Sequence, residues 1–556
     1  MQITPLGWGI EDNSDLCAVT HEGVLCSSDI YSHRVEHRNL TSFVEESAAS
    51  SLQFFLYPAN LISTAPVFIG IALALIVLLS SHTTEQHSRK SDNMILGLLV
   101  VACGASIGAA MALYQLMLNL TCDALWIHLG NRLQQDALVM HSLIPPLMLG
   151  LSGALSKLIP NGSAPLFVAA VLNNEPISWV RGVFGVSLVS IIAIASGGSA
   201  GPEGPVLPIG GAFGTFFSRF HRQLHQLQMA DFVLVGGCAS IAAFFDDPLS
   251  GCIFVMEVPH MYGMQRYRAL PAALVASSVS CYVHRLLMKP MGIGYSPRLR
   301  PSICNSLFFY LPLSLLMGLL AAAMARLYIR SKKALDAVPI SNPIVRGVTF
   351  GAIVALIGLN QPWTLMWGEA QVQIISYNWD DAPFYLTVYD QRVTGAFYMI
   401  VLGCLKCVAM LFTTASGYSA GIVFPLVYVG VCIGTGLGNL LAVLLSSPVI
   451  GAVNEAAILK LVMAGSPIGE SSALYHEFGH MLGHCLGSGF LASVMHAPLG
   501  TTLLIQRMAG GASAVQYPLL CAHAGRHMRA HRKNSTLRMP RFTFTNAFAP
   551  SWHARR

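Results

Sequence analysis

A glutamate set between glycines and prolines in an apolar stretch is where this sequence could do chemistry. Glu203 stands in Gly201-Pro202-Glu203-Gly204-Pro205, and glycines follow Pro205 at +5 and +9 (Gly210, Gly214). About 220 residues later the chain has Gly421-Ile422-Val423-Phe424-Pro425, with glycines again at +5 and +9 from the proline (Gly430, Gly434). Each segment opens an apolar helical stretch, the trace of an internal repeat with broken helices meeting at a shared site. A helix N-terminus has unpaired N–H groups and a partial positive charge. It binds anions without a cationic side chain. Glycine lets the backbone approach an ion, and proline suits the first helical turn. Two such turns facing one cavity would make an anion site. Glu203 stands where the anion would sit. Ionised, its carboxylate competes for the same N–H groups; protonated, it loses that attraction and can swing away. A carboxylate at membrane depth marks a functional site. The competing account is that the glycines only let helices pack closely. The matched prolines and the glutamate weigh against that account as a full explanation.

Composition requires that the elements carrying these turns lie in a membrane. The 556 residues are 54% hydrophobic and only 10% charged, against roughly 25% charged in a soluble domain. Apolar runs recur at residues 61–80, 94–118, 183–195, 307–325 and 399–412. A spanning helix needs about 20 residues, and several runs are shorter or broken by Gly and Pro. Broken helices are tolerated in lipid only where protein buries them or a polar cavity adjoins them. The expected fold is therefore all-α and polytopic, with inverted-topology repeats. The formal net charge is +6, and Arg526–Arg556 carries eight Lys/Arg with no Asp or Glu. Such a basic tail beside membrane helices is expected to stay cytoplasmic. It follows a membrane body directly, which argues against a nucleic-acid role.

The organisation follows from these patterns. Residues 1–57 are polar and without periodicity. Residues 58–93 hold an extra hydrophobic run and a charged linker. The membrane body spans 94–523, in halves of about 94–290 and 300–523, and 524–556 is the basic tail. The repeat continues beyond the glycines: Pro248-Leu249 lies 43 residues after Pro205, with Glu257 at +9. Pro498-Leu499 lies 73 residues after Pro425, with Arg507 at +9. The extra length in the second half falls at about 446–483, expected as a loop on one membrane face.

The first segment resembles the G-(K/R/P)-E-G-P signature of the CLC family of chloride channels and proton-coupled chloride exchangers. Asn161-Gly162-Ser163-Ala164-Pro165 is similar to a G-S-G-I-P segment shortened by one residue. Gly421-Ile422-Val423-Phe424-Pro425 resembles G-x-F-x-P, with Val423 at the phenylalanine position. Phe245 to Gly251, continuing to Glu257, resembles F-N-x-P-L-x-G…E, and Tyr517 stands at the family's tyrosine position. The resemblance covers residues 94–523. It implies a homodimer with one anion path per subunit, Glu203 as the gate, and anion contacts from Ser163, Gly204, Ile422, Val423 and Tyr517. A serine at 163 implies a preference for chloride, the bound and transported ion, and no cofactor is implied. Many exchangers carry a second glutamate just after the position of Glu257; here it is Val258, which cannot carry a proton. That favours gated passive conduction over coupled exchange. Residues 524–556 are too few for nucleotide-binding CBS domains, so no adenine-nucleotide regulation is expected.

One motif points elsewhere. His476-Glu477-Phe478-Gly479-His480 fits HExxH, in which histidines at i and i+4 on one helix face hold zinc and the glutamate acts as base. That would make a membrane zinc hydrolase. The longer protease motif needs a histidine at 486, which is Leu486, and a short match arises readily by chance. No metal is therefore expected, and the chain is not expected to be an enzyme. Lys406, in an apolar stretch, either raises positive potential along the anion path or snorkels to the interface. Cys17 and Cys26 could pair only outside the cytosol. The remaining cysteines, including those of Cys404-Leu405-Lys406-Cys407, are taken as packing residues.

Overall fold

The computed structural model describes residues 17–20, 23–26, 87–129, 137–159, 162–220, 228–259, 266–288, 303–369, 371–372, 375, 392–417, 421–445 and 471–508. Apolar runs at helical spacing form helices in both halves. The first half holds α1 (His87–Cys122), α2 (Ala137–Leu158), α3 (Ala164–Asn173), α4 (Val186–Ala195), α5 (Glu203–Ser218), α6 (Met229–Phe245), α7 (Pro248–Glu257) and α8 (Leu270–Leu287). The second holds α9 (Ile303–Asp336), α10 (Pro343–Asn360), α11 (Arg392–Ala415), α12 (Val423–Leu445), α13 (Ser471–Met495) and α14 (Pro498–Met508). Among the described residues, six helices are long and apolar enough to cross a membrane. Helices α3 and α7 have ten residues each. At 1.5 Å per residue they cross about half of a ~30 Å hydrocarbon core. Each must therefore have one end within the protein, as broken helices do.

The repeat is visible in backbone conformation. The α4–α5 and α11–α12 turns each begin at a left-handed glycine, Gly197 at φ 85° and Gly417 at φ 97°. The α6–α7 and α13–α14 turns each contain a left-handed non-glycine, Asp246 at φ 56° and His496 at φ 61°. Aspartate and histidine are among the non-glycine residues enriched in this region.

The +5 and +9 glycines do one job in both halves. A Cβ on Gly210 or Gly214 would collide with backbone atoms of Gly236 and Phe232 on α6. A Cβ on Gly430 or Gly434 would collide with Gly487 and Leu482 on α13. These glycines seat α5 on α6 and α12 on α13, so for them the packing account is correct. Across the halves, α2 meets α10 through Gly153, Gly347 and Gly351, each against backbone of the other helix.

Three sequence expectations change. The charged linker is not separate from the first body helix: α1 begins at His87, because no Gly or Pro interrupts 87–93. Residues 471–483 are not loop but the start of α13. Gly479 and Gly483 sit there against Asn439 and Thr435 of α12, so packing on α12 holds that polar stretch helical. Within 1–57, β1 (Cys17–Thr20) and β2 (Gly23–Cys26) pair antiparallel with Cys17 opposite Cys26. The hydrophobic run at 61–80, residues 446–470 and the tail lie outside the described residues.

Gly236→Ala should destabilise the fold by about 1–3 kcal/mol, because its Cβ meets the backbone of Gly210. Gly97→Ala, with open space around the added Cβ, should be neutral or stabilising. Thermal unfolding in detergent compares the two; equal midpoints would contradict this packing.

Candidate functional site

The turns before α5 and α12 meet through their backbones. Gly201 N–H donates to Gly421 O at 2.8 Å, and Gly421 N–H donates to Gly201 O at 2.6 Å. This reciprocal antiparallel pair joins equivalent residues of the two halves. It points both helix N-termini at one spot.

Glu203, the first residue of α5, lies at that spot with 1% of its surface exposed. Its Oε1 accepts the Phe424 N–H at 3.0 Å, a donor in the first turn of α12. Its Oε2 has no hydrogen-bond partner among the described residues. A buried oxygen left unsatisfied costs about 1–3 kcal/mol, more if charged, so this arrangement serves something other than stability. The carboxylate rests on the Cα faces of both glycines. The three nearest atoms to a Cβ on Gly201 all belong to that carboxylate. A Cβ on Gly421 would meet Oε2 and also the backbone nitrogens of Gly204 and Glu203. Glycine is needed at both positions for this seat to exist.

The surrounding elements fix the turns. Met366 N–H donates to Gly197 O at 3.0 Å, tying the first turn to the segment after α10. Ser199 N–H donates to Thr413 Oγ1 at 3.0 Å, tying it to α11. Trp126, just after α1, donates Nε1–H to Ala195 O at 2.8 Å beneath the same turn.

Of the expected contact residues, Gly204, Ile422 and Val423 are buried at the junction. The N–H group engaged by Glu203 belongs to Phe424, one residue beyond the expected pair. Pro202, Pro205 and Pro425 are buried in or beside the first turns of α5 and α12. Ser163 is the residue before α3, in extended backbone, and its side chain makes no capping hydrogen bond. Tyr517 lies outside the described residues. Val258 follows α7 as its C-cap and is buried at 5% exposure. Glu257 is 1% exposed, and its Oε2 accepts the Gly500 N–H of α14 at 2.7 Å. It caps a helix of the other half, which gives it a structural role. His476, Glu477 and His480 are on α13, and their side chains lie outside the described ones. Among the described residues no group of three His, Cys, Asp or Glu is placed to hold a metal.

Two residues escaped sequence reasoning. Glu369 is a further buried carboxylate, 4% exposed, accepting the Trp367 Nε1–H at 3.2 Å. Its charge acts on that of Glu203. Thr413 anchors the first turn from α11. An acid beside Trp367-Gly368 in an apolar region was the available signal for Glu369; nothing marked Thr413.

Glu257→Ala should leave the Gly500 N–H of α14 unpaired and lower stability by about 1–3 kcal/mol, measured as a lower unfolding midpoint. An unchanged midpoint would contradict the capping role.

The chain resembles known proteins throughout this region. The family model described as "Voltage gated chloride channel" matches residues 147–526. The voltage-gated ClC-type chloride channel ClcB of Escherichia coli O81 (strain ED1a) is 23% identical over 282 residues, covering 50% of this chain and 56% of that protein. The H(+)/Cl(-) exchange transporter ClcA of Klebsiella pneumoniae (strain 342) is 25% identical over 289 residues, covering 49% and 58%. Each match thus spans little more than half of the curated relative. Among solved structures, a slow cyanobacterial Cl−/H+ antiporter superposes with a TM-score of 0.62 at 18% identity, covering 79% of this chain and 95% of that one. A CLC-type fluoride/proton antiporter gives 0.55 at 16% identity, covering 80% and 97%. The matched family model, the inverted repeat and the paired glycine turns place this chain in the CLC family, as an integral multi-pass membrane protein.

Proposed function

We propose that this chain conducts chloride and other small anions across a membrane, along a path gated by Glu203 at the Gly201–Gly421 junction. One observation carries the reading: a carboxylate occupies a helix N-terminal N–H donor between two glycine turns, the place an anion would take. Withdrawal of Glu203 would hand the Phe424 N–H, and its neighbours Ile422 and Val423, to the ion. Ser163, before α3, adds a hydroxyl that α3 does not use as a cap, in keeping with chloride. Passive conduction is the favoured form, because the position after Glu257 is an apolar, buried valine. Coupled exchange is the second reading, supported by the antiporter names of the structural neighbours and by Glu369 as a further buried carboxylate near Glu203. We further propose a homodimer with one path per subunit and a cytoplasmic basic tail.

Reversal potential in a reconstituted bilayer tests this reading. Under a chloride gradient, with and without a pH gradient, it should follow chloride alone. In Glu203→Ala the gating should change while selectivity persists. A potential that moves with pH in the wild type, and not in the variant, would replace conduction with exchange. Gly201→Ala and Gly421→Ala should differ. At Gly201 the three atoms nearest an added Cβ are all of the Glu203 carboxylate, so that substitution should push the carboxylate aside and raise flux. The second also strikes backbone and should reduce flux. Equal effects would contradict the proposed seat.

A further inference from the structure

Lys406 lies on α11 and is fully buried, so it does not snorkel. Its ammonium meets three backbone carbonyls: Thr364 O at 2.9 Å, Leu365 O at 3.2 Å and Met366 O at 2.5 Å. An ammonium has three N–H donors and no acceptor, whereas a neutral amine keeps a lone pair. Three converging acceptors therefore fit the charged form. A further side is covered by the Tyr428 ring, whose centroid is 5.2 Å from Nζ; an aromatic face attracts a cation. All these partners are neutral. A buried cation normally has a counter-charge, and these contacts supply none.

Two connections tie the cation to the junction. Met366, which accepts from Lys406, donates its N–H to Gly197 at the head of the Glu203 turn. Tyr428, which faces Lys406, stands one helical turn beyond Phe424, the donor to Glu203. The contact of Lys406 with α12 is thus one helical turn, about 5.4 Å of rise, from the contact of Glu203. Glu369 and Tyr114 interact electrostatically with Glu203, and Cys432 with Lys406.

We propose that Lys406 is the fixed positive charge that sets the affinity of the Gly201–Gly421 site for its anion, the anion becoming its counter-charge when Glu203 withdraws. The proposal rests on the reading of this junction as an anion path. Lysine here is an affinity-setting group rather than a contact residue. Across about 10 Å at an effective dielectric of about 20, loss of one unit charge changes affinity for an anion on the order of tenfold.

The test is initial chloride flux into vesicles, measured against chloride concentration, for the full chain and for Lys406→Gln and Lys406→Arg. Glutamine keeps N–H donors for the carbonyls and removes the charge; arginine keeps the charge. Lys406→Gln should raise the half-saturating chloride concentration on the order of tenfold, and Lys406→Arg should leave it near the wild-type value. A wild-type half-saturation in Lys406→Gln would overturn the proposal, leaving lysine as a strut for the 364–366 turn. So would loss of maximal flux in both variants at unchanged half-saturation. If Lys406→Gln does not fold, Lys406→Met, neutral and of similar length, takes its place: it should raise half-saturating chloride in the same way, and a wild-type value there would overturn the proposal. Absence of any saturable chloride flux in the wild type would instead sink the anion-path reading itself.

Discussion

Two hydrogen bonds between Gly201 and Gly421 constrain everything else at the centre of this molecule. They join equivalent residues of two halves that run in opposite senses, so each half supplies one helix N-terminus to the same point. Short broken helices are a liability in lipid, because their ends carry unpaired backbone groups. Bringing the ends together inside the protein removes them from lipid. The same act concentrates N–H donors where a negative charge can use them. Glycine is required on both sides because the Glu203 carboxylate lies against both Cα atoms.

The buried charges sort into two kinds. Asp231 on α6 pairs with Arg266 at 2.8 Å and Arg268 at 3.0 Å, and Asp246 pairs with Arg285. Glu257 caps α14. These groups are settled, and removing one partner would cost stability. Glu203 is different: it has no ion-pair partner among the described residues, its Oε1 accepts the Phe424 N–H, and its Oε2 meets no well-aligned donor there. Weak satisfaction of a buried carboxylate is what the proposed gate needs. A gate bonded as fully as Asp231 would not open.

Much of the site was legible in the sequence, because its backbone demands special residues. Gly201, Gly421, the flanking prolines and Glu203 sit at matched spacing, and no side-chain packing is needed to see them. The +5 and +9 glycines were equally visible, yet their role is helix contact, and spacing alone cannot separate an ion-facing glycine from one facing a helix. The donation from Phe424 to the Glu203 carboxylate was not legible, since helix phase at an N-terminus depends on how the turn closes. Glu369 and Thr413 were unmarked because their roles arise from contacts between segments far apart in the chain. The helical start of α13 was hidden for the same reason: a polar stretch folds there because Gly479 and Gly483 seat it on α12.

The central claim is that Glu203 occupies the place of an anion. The most direct measurement is the anomalous signal of bromide in crystals of the wild type and of Glu203→Gln. The account predicts a bromide peak in the variant at the Gly201–Gly421 junction, within hydrogen-bond reach of the Phe424 N–H, and a weaker or absent peak there in the wild type. Equal occupancy of that position in both proteins, or bromide found only elsewhere in the variant, would contradict it.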